Sequence, residues 1–313
     1  MVEHSPPAAT LHGLIVRSYG LYYDVATDAG LVRCTLRGTL KRARRGTDPA
    51  AVGDRVTLSL LDRTSVPPQG VIEAVEPRRT VLSRLARGAH AREQVIVANP
   101  DQLVAVFAPR HPEPHPRLVD RFLLLAESRG LAAVICVNKL DLASSEEIEA
   151  VFGQFRVAGY PVLETSAYTG AGLDALRAVL QGKISALAGP SGVGKSSLLN
   201  ALVPDLEQQR TGEISDATGK GRHTTTWTTL FRVGPDTWVA DTPGIRQLRL
   251  WGVDFAHLDQ LYPEFRPHLG ACRYDDCRHL REPGCAVRAA VEAGLIHPAR
   301  YDSYTRWLEG EAG

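Results

Sequence analysis

The chain has 313 residues, of which 44% are hydrophobic and 23% charged, so it can bury two or three cores and is not a disordered chain. A formal net charge of +1 leaves any attraction to nucleic acid to local patches. No apolar run approaches the roughly 20 residues of a bilayer-spanning helix, and Met1 to Pro7 lacks the parts of a signal peptide. Its 5 cysteines, three of them crowded near the C-terminus, fit a reducing cytoplasm better than a disulfide framework.

Residues 1–10 read as a disordered tail. From 11 to 80 the pattern is short strands, Leu14–Val16, Leu21–Val25, Leu31–Leu36, Gly53–Leu60 and Gly70–Val75, separated by turn residues such as Gly20 and Gly30. Such strands in so short a span suggest a small closed barrel of the OB type. Arg37, Lys41, Arg42, Arg44 and Arg45 form a basic loop, with no acidic residue from Ala29 to Thr47. With Tyr19, Tyr22 and Tyr23 nearby, phosphate neutralisation and base stacking point to RNA binding. A linker, Glu76 to Arg79, follows.

The pattern then turns to alternating strands and helices up to about residue 250, which predicts a doubly wound parallel sheet. Gln102–Ala108 reads as a buried strand, Pro109–Pro116 as a rigid loop, Leu118–Ser128 as an amphipathic helix and Ala132–Val137 as a second buried strand. At the end of that strand lies Asn138-Lys139-Leu140-Asp141. An aspartate there can accept from both the N1–H and the amino group of guanine, a pair of donors that adenine lacks. A third strand, from Pro161, ends in Ser166-Ala167, where a small residue lets a backbone N–H approach the guanine O6.

Ile184–Ala188, a short buried strand, leads into Gly189-Pro190-Ser191-Gly192-Val193-Gly194-Lys195-Ser196, a G-x-x-x-x-G-K-S sequence followed by the apolar spacing of a helix from Ser197. Strand, glycine loop and helix are the context of a P-loop, whose backbone N–H groups cradle phosphates at a helix N-terminus. Residues Gly189 to Ser197 are therefore the expected phosphate site, with Lys195 on the β- and γ-phosphates and Ser196 on Mg²⁺. Ser215 to Thr226 has no apolar periodicity and reads as a mobile loop, in which Thr225 or its neighbour Thr224 completes the Mg²⁺ shell. Trp238–Asp241 is a strand entering D-x-x-G, with Asp241 holding Mg²⁺ through water and the Gly244 N–H on the γ-phosphate. Finally, Cys272, Cys277, His279 and Cys285 have the residue types and spacing of a closed structural Zn²⁺ site. Cys34 and Cys136 fall in strands and read as core. Ala286 to Leu308 reads as helical, with Trp307 packed on the zinc lobe.

N-K-x-D, S-A, the P-loop, H-T-T and D-T-P-G are the guanine-nucleotide motifs in rotated order, because Asn138 to Asp141 and Ser166-Ala167 precede Gly189 to Ser196. The set resembles a circularly permuted GTPase. With a basic β-barrel before it and a Cys/His cluster after it, the chain resembles the ribosome small-subunit-dependent GTPases of bacteria, the RsgA family. Permutation is tolerable because domain termini lie at the surface and often close together.

The resemblance implies a multidomain chain. It would have an all-β OB-type RNA-binding barrel over 11–80, an α/β circularly permuted GTPase domain over 81–250, and a mostly helical zinc-binding domain over 251–313. It implies GTP or GDP with Mg²⁺, one structural Zn²⁺, and the small ribosomal subunit with its rRNA as partner. Neither DNA nor a membrane is expected, and nothing suggests an oligomer. Ile245 stands directly after Gly244 and cannot hold a water, and Gln247 lies two residues further on. His223, before T-T, is thus the expected water-positioning residue, with Lys195 beside the phosphates, and intrinsic turnover is expected to be slow. Two rivals are an RNA-binding protein that holds guanine nucleotide without hydrolysing it, and a P-loop ATPase or kinase. Intact Lys195, Ser196 and Asp241 speak against the first, Asn138 and Asp141 against the second.

Overall fold

The computed structural model describes residues 10–43, 47–85, 93–203, 205–206, 228–241 and 253–310. The chain divides into two compact units, one of Met1–Asp101, Leu180–Leu187 and Leu202–Arg249, the other of Gln102–Val179, Ala188–Ala201 and Leu250–Gly313.

In the first unit, β1 (Thr10–Tyr19), β2 (Tyr22–Thr27), β3 (Gly30–Leu36), β4 (Arg55–Asp62) and β5 (Gln69–Val75) close on themselves. β1 pairs with β2 and β4, β2 with β3, β3 in parallel with β5, and β5 with β4. That closed order, 1-2-3-5-4-1, is an OB-type barrel and leaves no free sheet edge. Period-two alternation turns Val32, Cys34 and Leu36 of β3 inward, and Ile15, Val25, Leu58 and Ile72 of the other barrel strands are buried likewise. Burial pushes the Cys34 thiol up to about 12, in keeping with a core role. The basic segment after β3, expected as loop, begins as a short helix, α1 (Gly38–Ala43).

A hairpin that the sequence reading did not single out, in residues it assigned to the span 81–250, follows the barrel: β6 (Val81–Leu85) and β7 (Glu93–Ala98) pair antiparallel. Its foot is locked to the barrel. Ala98 N–H donates to the Val52 carbonyl at 2.8 Å, Asn99 Nδ2 donates to that of Gly53 at 3.1 Å, and a side chain at Gly53 (φ 91°) would strike Ala98 O at 2.0 Å. Beneath it Arg78 forks onto buried Asp54, with Nε to Oδ1 and NH2 to Oδ2 both at 2.8 Å. A bidentate buried pair fixes direction as well as distance. The same unit holds β11 (Ile184–Ala188), parallel to β13 (Thr237–Asp241), with β12 (Thr229–Gly234) antiparallel to β13 and touching β1 at Arg17↔Thr229.

In the second unit, β8 (Gln102–Phe107), β9 (Ala132–Val137) and β10 (Val162–Glu164) are parallel, in the order β10-β9-β8. All six residues of β8 are buried, the signature of a strand covered on both faces. α2 (Pro116–Ser128) packs on it through Phe122, edge-on to Phe107 at 5.9 Å. α3 (Ser145–Val157) starts at a reciprocal Ser144/Glu147 capping box. α4 (Leu173–Leu180) and α5 (Lys195–Leu202) complete the α/β half. Cys136 is core, its thiol pushed up to about 11 by burial.

The C-terminal lobe opens with a 3₁₀ stretch, Phe255–Leu261. The single helical run expected from Ala286 to Leu308 is two helices, α6 (Ala286–Glu292) and α7 (Pro298–Leu308). The break has a local cause: Gly294 takes φ 74°, and His297 caps a new helix with Pro298 at its first position. Tyr262, Phe265, Tyr304 and Trp307 form the lobe's core together with Leu124 of α2. Among the described residues no helix is long and apolar enough to cross a membrane.

Candidate functional site

Phosphate chemistry requires backbone that can turn its N–H groups inward, and the glycine loop has it. Gly189, Gly192 and Gly194 sit at φ 146°, 84° and 91°, all in the positive region that favours glycine. A Cβ at Gly189 would fall 2.1 Å from the Val106 carbonyl oxygen, so the loop lies directly on the C-terminal end of β8. Strand ends are where open α/β sheets take ligands. Lys195 opens α5, and its Nζ donates to the loop carbonyls of Gly189 (2.8 Å) and Pro190 (2.5 Å). Its ammonium is thereby held inside the loop's curve. Ser191, Ser196 and Ser197 are exposed at the mouth, Pro190 is half-buried, and Val193 is a buried anchor.

Asn138 ties three loops together. It is buried, with Nδ2 donating to the Val193 carbonyl at 2.9 Å and Oδ1 accepting from the Ala167 N–H at 3.0 Å. A side chain at Gly194 would come within 2.3 Å of Nδ2, so the glycine is required by the asparagine as well as by its own φ. Lys139 follows in the left-handed region (φ 67°), a conformation that costs a non-glycine residue about 1–2 kcal/mol. It is held there by two bonds: Leu140 N–H to Thr165 O at 3.0 Å, and Lys139 Nζ to His111 O at 2.5 Å. Asp141 is exposed, and one of its oxygens accepts the Ser166 hydroxyl. N-K-x-D, S-A and the P-loop, which lie up to 59 positions apart, thus form one hydrogen-bonded cradle within a single unit.

Asp241 ends β13, opposite Leu187 in a parallel pair, two positions before Gly189. His223, Thr224, Thr225 and Gly244 lie outside the described residues. Of the barrel tyrosines, Tyr22 is exposed, Tyr19 donates its hydroxyl to buried Asp24 at 2.7 Å, and Tyr23 is half-buried.

The cysteine cluster assembles. Sγ of Cys272, Cys277 and Cys285 and Nδ1 of His279 lie within 4.8 Å of one another. The imidazole nitrogen stands 3.5, 3.6 and 3.4 Å from the three sulfurs, and Cys272 and Cys285 are 4.0 Å apart. Tetrahedral bonds of ~2.3 Å to sulfur and ~2.0 Å to nitrogen require edges of ~3.5–3.8 Å, so the donors fit a zinc ion. Backbone N–H groups of Ala286 and Arg288 point at Cys272 and Cys285. Asp259, which sequence reasoning missed, stands behind the imidazole, its Oδ2 3.5 Å from His279 Nε2. A carboxylate there fixes the tautomer that presents Nδ1 to a metal. No short-range pattern announces it.

A second group that the sequence did not reveal joins the lobe to α2. Arg300 of α7 is fully buried, its Nε donating to Glu264 Oε1 at 2.6 Å and its NH1 to Asp120 of α2. The guanidinium lies 4.5 Å from the Tyr262 ring centre.

A P-loop, a guanine-type base loop and a closed Cys₃His cluster, with the base loop first in the chain, define a circularly permuted GTPase. The comparisons agree. The RsgA GTPase family model matches residues 75–251, and the RsgA N-terminal domain model residues 12–66. The small ribosomal subunit biogenesis GTPase RsgA of Gemmatimonas aurantiaca is 47% identical, over 94% of this chain and 95% of its own. Its counterpart in Moorella thermoacetica is 44% identical over 95% and 96%. Among solved structures, YjeQ from Thermotoga maritima aligns with a TM-score of 0.77 at 32% identity, covering 97% of this chain and 99% of its own. YloQ, described as a circularly permuted GTPase, gives 0.74 at 28% over 99% and 97%. The chain belongs to the RsgA GTPase family, and it is a GTP-hydrolysing enzyme.

Proposed function

We propose that this chain hydrolyses GTP on the small ribosomal subunit during late maturation of that subunit, as a cytoplasmic monomer that contacts rRNA, with turnover raised by the subunit. The observation that carries the reading is the cradle in which Asn138 joins Val193 of the P-loop to Ala167 of the base loop. Asp141 recognises guanine together with the Ala167 N–H, which turns from Asn138 Oδ1 to the guanine O6 when the base is bound, while the loop from Gly189 to Ser197 cradles the phosphates. Lys195, displaced from the Gly189 and Pro190 carbonyls, neutralises charge on the β- and γ-oxygens. Ser196, Thr225 and Asp241 would hold Mg²⁺, which would supply positive charge against the phosphate oxygens, and Gly244 contacts the γ-phosphate. His223 orients the attacking water. Cys272, Cys277, His279 and Cys285 would hold one structural Zn²⁺.

GTP turnover measured with and without purified small subunits tests this. A stimulation of about tenfold or more is expected, lost in His223→Ala. Stimulation that survives that change would move water positioning elsewhere, and no stimulation would remove the partner. For the base pocket, Asp141→Asn is expected to weaken GTP binding about 100-fold and to favour xanthosine triphosphate, whose O2 accepts where the guanine amino group donates. Unchanged GTP affinity in equilibrium titration would displace Asp141 from the pocket.

A further inference from the structure

In the proposed pocket Asp141 and Ala167 meet the edge of the guanine and the glycine loop meets the phosphates, which leaves the faces of the base without a contact. Tyr168 directly follows Ala167 and is 91% exposed, and no aromatic side chain among the described residues is more so. It makes no hydrogen bond, ion pair or ring contact among them. We propose that the Tyr168 ring stacks on the guanine base, on the face opposite the Lys139 stem, a role that rests on the guanine reading of Asp141. The stack adds affinity that does not depend on the hydrogen-bonding edge of the base.

The turn that carries the ring is held by Ser166. Its hydroxyl donates to Asp141 and accepts the Thr169 N–H at 3.2 Å, its carbonyl accepts the Gly170 N–H at 2.8 Å, and its own N–H donates to Ala171 O at 2.9 Å. Gly172 closes the turn at φ 70°, where a Cβ would meet the Glu164 carbonyl oxygen at 1.9 Å. One hydroxyl thus sets both the carboxylate that reads the base edge and the backbone beside Tyr168. Consecutive Cα atoms are about 3.8 Å apart, so a ring at 168 is within side-chain reach of a base whose O6 lies on the Ala167 N–H.

Lys139 supplies the other face. Its ammonium is bonded to the His111 carbonyl, and its Cε lies 4.0 Å from where a Cβ of Gly194 would stand, so the stem runs along the P-loop. Half-buried Lys139 then lies on the protein side of the base and exposed Tyr168 on the solvent side. Tyrosine suits that position. Stacking fixes only two side-chain torsions, every base offers a π face, and the phenol hydroxyl stays in water.

Equilibrium titration of the full-length chain with GDP, IDP and ADP tests this, with binding to small subunits measured in parallel. Tyr168→Ala is expected to weaken GDP and IDP alike, each about tenfold, because a stack does not sense the 2-amino group, whereas Tyr168→Phe keeps the ring and most of the affinity. Asp141→Asn acts instead on the ratio of GDP to IDP, since the aspartate accepts from the amino group that inosine lacks. The H8 proton of bound GDP should show a nuclear Overhauser contact to a tyrosine ring that disappears in Tyr168→Phe. Wild-type preference for GDP over ADP, together with a Tyr168→Ala variant that binds GDP as the wild type does, would overturn the stack alone. So would a loss confined to small subunits, which would assign the ring to RNA. ADP bound as tightly as GDP would overturn the guanine pocket and the stack together.

Discussion

Replacing Arg300 by methionine is expected to destabilise the unit that holds the cradle and the zinc lobe by about 3–5 kcal/mol, a large share of any domain's stability. Arg300 is the largest fully buried side chain of the described residues. It serves two carboxylates, Asp120 from α2 and Glu264 from the lobe, and stacks on Tyr262 with Phe155 and Tyr160 further out. Burial pushes the Asp120 carboxyl up and Arg300 pulls it down. Methionine keeps the volume and removes the charge, which leaves two carboxylates facing each other without a cation. The loss is thus chiefly the penalty of stranded charge rather than lost packing.

Two companion variants separate these causes. Arg300→Lys supplies one point charge where a fork spans two acceptors, and should recover only part of the loss. The triple change Asp120→Leu/Glu264→Met/Arg300→Met removes every charge and should recover most of it, because buried ion clusters are often replaceable by apolar groups of similar volume. Glu264 Oε2 and Arg300 NH2, buried without hydrogen-bond partners among the described residues, already tax the native cluster. Denaturant titration with hydrogen exchange on α2 and α7 provides the readout. Equal stability of the single and triple variants would show that stranded charge is not the cause.

Legibility of the sequence followed the range of each interaction. β9 begins and ends where its apolar run predicts, and the barrel strands follow their turn glycines, because period and turn chemistry are local. N-K-x-D, S-A and the glycine loop were legible as motifs, since each side chain or glycine answers a chemical need at fixed spacing. The role of Asn138 as a strut was not, because its partners at Val193 and Ala167 are set by the fold. The β6–β7 hairpin was hidden by the charged residues around it, and its anchoring to Val52 and Gly53 is long-range. Asp120, Glu264 and Arg300 are ordinary charged residues in the sequence, up to 180 positions apart. Asp259 is similar: only the placement of His279 Nε2 gives it a purpose.

Removal of metal from the Cys₃His cluster is expected to unfold the C-terminal lobe while leaving the barrel intact. The purified chain should contain one zinc per molecule, and cobalt in its place should give the visible absorption of a tetrahedral thiolate site. Structural zinc in small peptides contributes about 10–16 kcal/mol of apparent binding free energy near neutral pH, and where no site pre-exists in the unfolded chain that energy is folding energy. The lobe depends on it more than its size suggests. Its helices are short, α6 having seven residues, and the metal ligand Cys285 is also the α6 cap, accepting the Arg288 N–H. His279 itself sits at φ 61°, a left-handed position for a non-glycine residue, and its carbonyl accepts the Tyr301 hydroxyl at 2.6 Å. Without an ion, three sulfurs and an imidazole crowd a space in which two backbone N–H groups and the Asp259 carboxylate are weaker ties than metal bonds. Chelation, or Cys285→Ser, should therefore abolish exchange protection across α6 and α7. Because Leu124 of α2 belongs to the lobe's core, the loss should extend to α2 and weaken nucleotide binding at the cradle. Protection of β1 to β5 should persist, since these strands pair with one another in a closed order and belong to the other compact unit. A lobe that keeps its protection after complete chelation would show that its aromatic core suffices alone, and that the cluster holds its shape without metal.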